Sequence, residues 1–351
     1  MEQNSYNVIG VMSGTSLDGI DCAYVQILKK PQYSALIDKA QTYPYTQQWK
    51  DKLSAAHTLS KEDLTHLNEE YTRYLGEVIN TFIEEFKIEH IDIISSHGHT
   101  ILHQPERGYT LQIGNLQQLA ALTSQKVVCD FRVQDVVLGG QGAPLVPIGD
   151  ELLFSHYDYC LNLGGFANVS TKRKDIRIAY DICPVNVVLN KYAQKLDAEY
   201  DDNGAFAKAG VVQNQLLEKL NSLAFYNSAP PKSLGIEWVH QYVFPLLDAT
   251  DLTPKDFLAT FTEHIAIQLA NQFEKNSSVF VTGGGAYNSF LLERLSFHKD
   301  VTLIVPDASM LEFKEALIFA LLGVLRLDNK VNILSSVTGA SLDHCSGVIY
   351  N

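Results

Sequence analysis

The stretch richest in reactive chemistry runs Gly10-Val11-Met12-Ser13-Gly14-Thr15-Ser16-Leu17-Asp18-Gly19-Ile20-Asp21. An apolar run, Val8 to Met12, leads into it, and a β-like run, Cys22 to Leu28, leads out. Strand, Gly/Ser/Thr turn, strand is the expected local structure. Such a turn bends backbone N–H groups toward an anion, and Thr15 and Ser16 add hydroxyl donors. Asp18 and Asp21 would repel a bare phosphate. They make sense where a Mg²⁺ lies between carboxylate and phosphate, because the ion takes oxygen ligands from both. A plain hairpin turn with solvated aspartates fits the same residues, so the turn alone leaves both readings open.

Other reactive groups sit at the ends of apolar runs. Ile91 to Ser96 reads as a short buried strand that delivers His97-Gly98-His99-Thr100 at its end, where open α/β sheets place ligands. Lys126 to Cys129 is a strand ending in Asp130-Phe131-Arg132, and Ile176 to Ile182 is a strand ending at Tyr180-Asp181. Ser278 to Thr282 runs into Gly283-Gly284-Gly285-Ala286-Tyr287-Asn288, and Phe290 to Leu295 is helical beyond it. Strand, triple glycine, helix lets a nucleotide approach the backbone, although a tight turn without a ligand has the same signature. Asp181 and His97 each have a structural reading too, as a strand-end turn residue and a hydrogen-bonded core histidine. Cys183 has no His or Lys near it in sequence, which argues against a nucleophilic thiol.

The elements that must position these groups alternate along the chain. Residues 6–42 read as strands. Ser60 is an N-cap for a helix whose apolar face is Leu64, Leu67, Tyr71, Leu75, Val78, Ile79 and Phe82. Leu116 to Thr123 and Val187 to Leu196 read as helices. Leu138-Gly139-Gly140-Gln141-Gly142-Ala143-Pro144 reads as a functional loop or a crossing between domains. Tyr159 to Leu163, Gly164-Gly165 and Ala167 to Ser170 repeat the strand–turn–strand form of the opening hairpin, which suggests an internal duplication. Thr253-Pro254 starts a helix to about Phe273, and Lys314 to Leu325 is an apolar helix carrying Glu315 near its start. A chain of 351 residues suits about two domains.

A net charge of −13 argues against non-specific binding to nucleic acid or anionic membranes. Five cysteines without a C-x-x-C pair argue against a zinc ribbon and suit a reducing cytoplasm. No signal peptide is evident at the N-terminus, and no apolar run reaches the length of a membrane span.

Taken in order, these segments resemble the 1,6-anhydro-N-acetylmuramic acid kinase family of the sugar-kinase/actin-like superfamily. The likeness runs nearly end to end. It rests on Met12 to Gly19, Ser96-His97-Gly98-His99-Thr100 with His103 and Pro105, Gln112-Ile113-Gly114 and Asp130-Phe131-Arg132. Gly139 to Pro147, Asn162 to Gly165, Pro231-Lys232-Ser233, Gly283 to Asn288, Lys314-Glu315-Ala316 and Val337 to Ala340 complete it.

The resemblance implies an α/β fold of two duplicated ribonuclease-H-like domains with ATP in the cleft between them. The expected division is residues 1–145, completed by 330–351, and residues 146–329. It implies transfer of the ATP γ-phosphoryl group to O6 of the sugar, coupled to hydrolytic opening of the anhydro ring, in peptidoglycan recycling. Asp181 is then the general base that activates water. ATP contacts are expected at Gly14, Thr15, Ser16, Asp18, Gly19, Asp21, Gly164, Gly165, Gly283, Gly284, Gly285 and Asn288. Sugar contacts are expected at His97, Arg132 and Asn186, with Arg132 preferred over Lys232 for the lactyl carboxylate. Asp18 and Glu315 are the expected Mg²⁺ carboxylates, and the family suggests a homodimer.

Two departures stand beside the expected sugar site. Asp181-Ile182-Cys183-Pro184-Val185-Asn186 replaces the family's Asp-Thr-Gly-Pro-Gly-Asn, so Cys183 and Val185 occupy positions expected to need glycine conformations. His99 stands where Gln is usual, and a histidine there is expected to change charge near pH 6.5. A different anhydro sugar of the levoglucosan type is one alternative. A catalytically silent nucleotide-binding regulator is the other, and the presence of Asp18, Asp181 and Glu315 weighs against it.

Overall fold

The computed structural model describes residues 3–14 and 16–351, so Thr15, an expected ATP contact, lies outside the described residues. The chain divides into two units, residues 1–154 with 313–351, and residues 155–312.

The first unit is built on strands β1 (Ser5–Ser13), β2 (Gly19–Leu28), β3 (Ser34–Pro44), β4 (Ile93–Gln104), β5 (Tyr109–Ile113), β6 (Val127–Cys129) and, from the end of the chain, β12 (Val348–Tyr350). Their order is β12-β6-β4-β1-β2-β3, with β5 paired to β4. β1, β2 and β3 form an antiparallel meander, and β4 and β6 continue the sheet parallel to β1. The helix Lys61–Glu85, capped by Ser60 Oγ, packs Leu67, Tyr71, Leu75, Ile79 and Phe82 into this unit's core.

The second unit carries β7 (Tyr159–Leu163), β8 (Phe166–Arg173), β9 (Ile176–Pro184), β10 (Ser278–Thr282) and β11 (Thr302–Ile304) in the order β11-β10-β7-β8-β9. Again the first three strands are an antiparallel meander, and the next two run parallel to the first. The two sheets therefore share one topology, the ribonuclease-H-like order, and the duplication suggested by the two hairpins is a property of both units. Helix Pro254–Ala270, with Thr253 as N-cap, makes the crossover into β10 and is buried along most of its length.

Two segments differ from the sequence reading. The strand expected at 91–96 continues to Gln104, because its second half pairs with β5 in a hairpin closed at Pro105–Arg107 and Gly108. His97-Gly98-His99-Thr100 therefore lie inside β4 and not beyond its end. The irregularity falls at Gly98, whose φ of +73° and 2.4 Å clearance between a built Cβ and the Ile113 carbonyl both demand glycine. The unit boundaries fall at 154/155 and 312/313, against the expected 145/146 and 329/330. The second boundary lies within the helix Ala308–Leu327, and the physical reason is close packing. A Cβ on Gly10 of β1 would sit 2.0 Å from the Ala316 carbonyl oxygen, and Gly323 lies over Ser95, whose Oγ donates to the Phe319 carbonyl at 2.5 Å.

Candidate active site

In the first unit the Gly14–Gly19 turn joins β1 to β2. Leu17 takes a left-handed φ of +60° there, and its N–H reaches the Gly14 carbonyl at 3.4 Å. A Cβ on Gly14 would meet only ordinary van der Waals contact among the described residues, with Ser16 Oγ at 3.5 Å. Gly19 uses its missing side chain differently: a Cβ would meet the Tyr43 carbonyl at 2.4 Å, so it serves the β2–β3 pairing. Ser16 and Asp18 are exposed, and the Asp18 carboxylate makes no hydrogen bond to a described residue. Asp21 accepts from Thr42 Oγ1 at 2.6 Å.

Glu315 is brought to this turn by the Gly10–Ala316 approach. Its carboxylate has no hydrogen-bond or ion-pair partner among the described residues. Solvent reaches it, yet protein crowds it, and this burial raises its pKa. Arg132 lowers the pKa, Asp21 raises it and Lys314 lowers it, so Glu315 lies within electrostatic reach of all three. Lys314 itself is tied to Asp150 at 2.8 Å in a buried pair.

Arg132 is held by two contacts. Its Nε donates to His97 Nε2 at 2.9 Å, and Nη1 donates to the Gly142 carbonyl at 2.5 Å. Nη2 makes no hydrogen bond to a described residue. Burial pulls its pKa down to about 10, which still leaves the guanidinium charged at neutral pH. Because His97 Nε2 is an acceptor, His97 carries its proton on Nδ1 and donates it to the Gly98 carbonyl at 2.9 Å. Both nitrogens of His97 are committed, so the residue positions Arg132 and has no free nitrogen for a ligand.

The Gly/Pro segment after Leu138 lies within the first unit. Asp135, fully buried, accepts from Gly142 N–H at 2.6 Å and from Thr338 Oγ1 at 2.7 Å. A Cβ on Gly140 would fall 2.2 Å from Asp135 Oδ2. The carboxylate thus folds the loop on itself and aims the Gly142 carbonyl at Arg132. Sequence reasoning missed Asp135; the signal was an acid five residues before a Gly-x-Gly loop.

A second network missed from sequence runs through the core beside the turn. Ser13 Oγ is 2.8 Å from His99 Nδ1 and 2.6 Å from Tyr45 OH, and Tyr45 OH is 2.5 Å from Tyr71 OH. Tyr71 sits on the apolar face of its helix, so its spacing hid its hydroxyl.

In the second unit, Gly164-Gly165 follow β7, Asp181 and Asn186 follow the course of β9, and Gly283–Gly285 follow β10. They gather at one end of the sheet. Gly164 and Gly165 carbonyls accept from Asn186 and Val185 N–H at 3.3 and 2.8 Å. Gly283, with φ of +83°, would press a Cβ to within 2.6 Å of Asn162 Oδ1, and Gly285 would press one to within 2.8 Å of Leu163 Cβ. Asn288 Oδ1 is taken as the N-cap of helix Ser289–His298, accepting from Leu291 N–H at 3.0 Å.

Asp181 is half-buried. Its Oδ2 accepts from Leu234 N–H at 2.7 Å, and Oδ1 has no partner among the described residues. Burial raises its pKa, and the Leu234 N–H works against that rise. Lys232 donates to the Phe225 carbonyl at 3.3 Å and lies over the Phe225 ring, so it is a packed group.

A family model described as anhydro-N-acetylmuramic acid kinase matches residues 6–351. The chain belongs to the anhydro-N-acetylmuramic acid kinase family. It is similar to the anhydro-N-acetylmuramic acid kinase of Pseudomonas savastanoi pv. phaseolicola, with 35% identity over 97% of this chain and 98% of the relative. Identity to the enzyme of Mannheimia succiniciproducens is 33%, over 97% and 98%. For Coxiella burnetii it is 35%, over 97% and 96%. The chain is therefore a phosphotransferase of an ATP-using kinase family.

Against that family background the two departures look different from their sequence reading. Neither Cys183 nor Val185 has a positive φ, and both side chains are fully buried in the unit's core. The loop has exchanged glycine freedom for packing, and burial pushes the Cys183 thiol up, away from reactivity. The expected charge change of His99 near pH 6.5 does not hold: burial pushes its pKa down to about 4, so the ring is neutral at pH 7.

This burial makes a prediction for stability. His97, His99 and His264 are all buried with lowered pKa values, His264 to about 3. Unfolded, each titrates near its ordinary value of 6.5. Below that pH the unfolded chain takes up more protons than the folded one, so acid favours unfolding. The contribution is complete above about pH 6.5 and is lost as pH falls toward 4. Urea midpoints measured from pH 7.5 to 4 should fall steadily below 6.5. A flat midpoint across that range would mean the imidazoles take protons in place.

Proposed function

We propose that the chain transfers the γ-phosphoryl group of ATP to O6 of 1,6-anhydro-N-acetylmuramic acid while water opens the anhydro ring, giving N-acetylmuramic acid 6-phosphate and ADP. The observation that carries this reading is Asp181: one carboxylate oxygen is fixed by a backbone N–H and the other has no partner among the described residues. Asp181 Oδ1 takes a proton from water, the water oxygen attacks C1, the C1–O6 bond breaks, and O6 accepts the phosphoryl group. A carboxylate whose pKa is raised toward the working pH is a stronger base for that proton than an ordinary one.

Arg132 is proposed to read the lactyl carboxylate. Its Nη2 makes no hydrogen bond to a described residue, Nε and Nη1 are each held by one contact, and Arg suits carboxylate geometry. Asn186 is proposed as a further sugar contact. The Gly14–Ser16 turn and the glycines Gly164, Gly165 and Gly283–Gly285 are proposed to take ATP, the first through its phosphates.

Mg²⁺ fits the first unit. Among the described residues no three His, Cys, Asp or Glu side chains form a ready-made metal cage. That suits an ion bound through one or two carboxylates, its other positions filled by water and phosphate oxygens. Among the described residues the Asp18 and Glu315 carboxylates have no hydrogen-bond or ion-pair partner, and Asp21 repels Glu315, a repulsion that a divalent cation would offset. When bound, the ion offsets phosphate charge during transfer.

The family further suggests a homodimer and a cytoplasmic enzyme. Five free cysteines support a reducing compartment. Among the described residues no helix is long and apolar enough to cross a membrane.

The test is ADP release with a panel of anhydro sugars. Anhydro-N-acetylmuramic acid should be turned over far faster than levoglucosan. Preference for levoglucosan would reassign the sugar, and ATP binding without phosphorylation of any anhydro sugar would leave a nucleotide-binding regulator as the better reading.

A further inference from the structure

Asp181 is held by a segment that has no regular structure of its own. Residues 228–235 run between the short helical turns Ala224–Asn227 and Ile236–Trp238 and form neither helix nor strand. None of them is buried, and none joins the unit's apolar core. Among the described residues, three hydrogen bonds tie residues 229–234 to other segments. Asp181 N–H donates to the Lys232 carbonyl at 3.0 Å, Leu234 N–H donates to Asp181 Oδ2 at 2.7 Å, and Lys232 Nζ donates to the Phe225 carbonyl at 3.3 Å. The Lys232 ammonium also lies 4.6 Å from the centre of the Phe225 ring, within reach of a cation–π contact.

Two of the three bonds end on Asp181 itself, one on its backbone and one on its carboxylate. The third, from Lys232, is the segment's one side-chain footing. Phe225 is a firm base for it. Its ring packs on Tyr226 and Trp238, and Tyr226 OH lies 3.0 Å from Nε2 of His264, which is fully buried in helix Pro254–Ala270. We propose that Lys232 is a positioning residue for Asp181: its contacts with Phe225 anchor residues 228–235, so that the Leu234 N–H stays on Oδ2. The inference deepens the proposed kinase reading and rests on it, because Asp181 is the base there.

The anchoring has a measurable consequence in acidity. Burial raises the Asp181 pKa, the Leu234 N–H opposes that rise, and no charged side chain is among the causes. The neighbouring groups agree. Asn168, opposite Asp181 on β8, is uncharged; the Cys183 thiol on the same strand is pushed up by burial; and Lys232 acts electrostatically on Cys183. A carboxylate that loses an N–H donor holds its proton more tightly. Loosening the segment therefore raises the Asp181 pKa further.

The test compares the full-length parent with Lys232→Met, which keeps an apolar stem beside the Phe225 ring and removes the ammonium. In the free proteins the ¹³C carboxyl signal of Asp181, identified by its loss in Asp181→Asn, should titrate at higher pH in Lys232→Met. With anhydro-N-acetylmuramic acid and ATP, the acid limb of kcat/KM should move up in pH with it, because that profile reports the base of the free enzyme. The plateau kcat should fall about three- to tenfold, the usual worth of one hydrogen bond, with both KM values little changed. Lys232→Arg, which keeps a donor and a cation over the ring, should restore the titration and kcat together. Lys232→Gln, too short to reach the Phe225 carbonyl, serves in place of Lys232→Met if that variant is unstable, with the same expected shift. An Asp181 titration that stays at the parent pH overturns the inference. So does a rise in sugar KM alone, which would make Lys232 a substrate contact. The titration needs no turnover, so it judges Lys232 apart from the kinase reading, which parent turnover of the sugar decides.

Discussion

Asp181→Asn should lower turnover of anhydro-N-acetylmuramic acid by about 10²–10⁴-fold, the usual worth of a general base. The substitution keeps the shape and still accepts from Leu234 N–H at the Oδ2 position. It removes only the proton acceptor at Oδ1. Nucleotide affinity should therefore change little. Any residual product should still carry one solvent ¹⁸O at C1, because the anhydro ring opens only by taking an oxygen from water; what falls is the rate at which it forms. The parent's kcat/KM should fall on the acid side at a pH above the ordinary aspartate value of 3.8, since burial raises the Asp181 pKa. Near-parent turnover by the Asn variant would remove Asp181 from the mechanism.

Glu315→Gln should reduce activity at limiting Mg²⁺ by about a hundredfold or more, because a metal's electrostatic contribution to transfer is worth several kcal/mol. Raising Mg²⁺ should recover part of the loss. Asp18→Asn should follow the same pattern. Asp18→Asn should barely change stability, because that carboxylate is exposed and makes no hydrogen bond to a described residue, and such surface substitutions fall within about 0.5 kcal/mol. Parent-like activity of both variants at limiting Mg²⁺ would exclude a carboxylate-held ion at this turn.

The sequence by itself determined the local elements and the chemistry they could carry. Periodicity placed Lys61–Glu85 and Pro254–Ala270, because helix caps and apolar stripes are local signals. The glycine turns after β1, β7 and β10 were legible for the same reason, and so was the repeated hairpin that proves to be a repeated sheet topology. Composition argued against non-specific binding to nucleic acid and anionic membranes, and the ordered motifs pointed to the family that the full-length match then established.

Tertiary structure decided which of those groups are free to act. Both nitrogens of His97 are occupied, and the oxygen of Asn288 caps a helix; neither is written in their spacing. Asp181 keeps one open oxygen only because Leu234, more than fifty positions away, supplies a single N–H. Asp135, which holds the Gly142 loop beside Arg132, and the Ser13–Tyr45–Tyr71 contacts beside His99 act between distant segments. Burial then changed the chemistry of what it enclosed. It turned a histidine expected to titrate near neutrality into a neutral one and two glycine positions into packed Cys183 and Val185. Desolvation and the pairing of buried polar groups depend on what surrounds a side chain, and those surroundings exist only once the chain is folded.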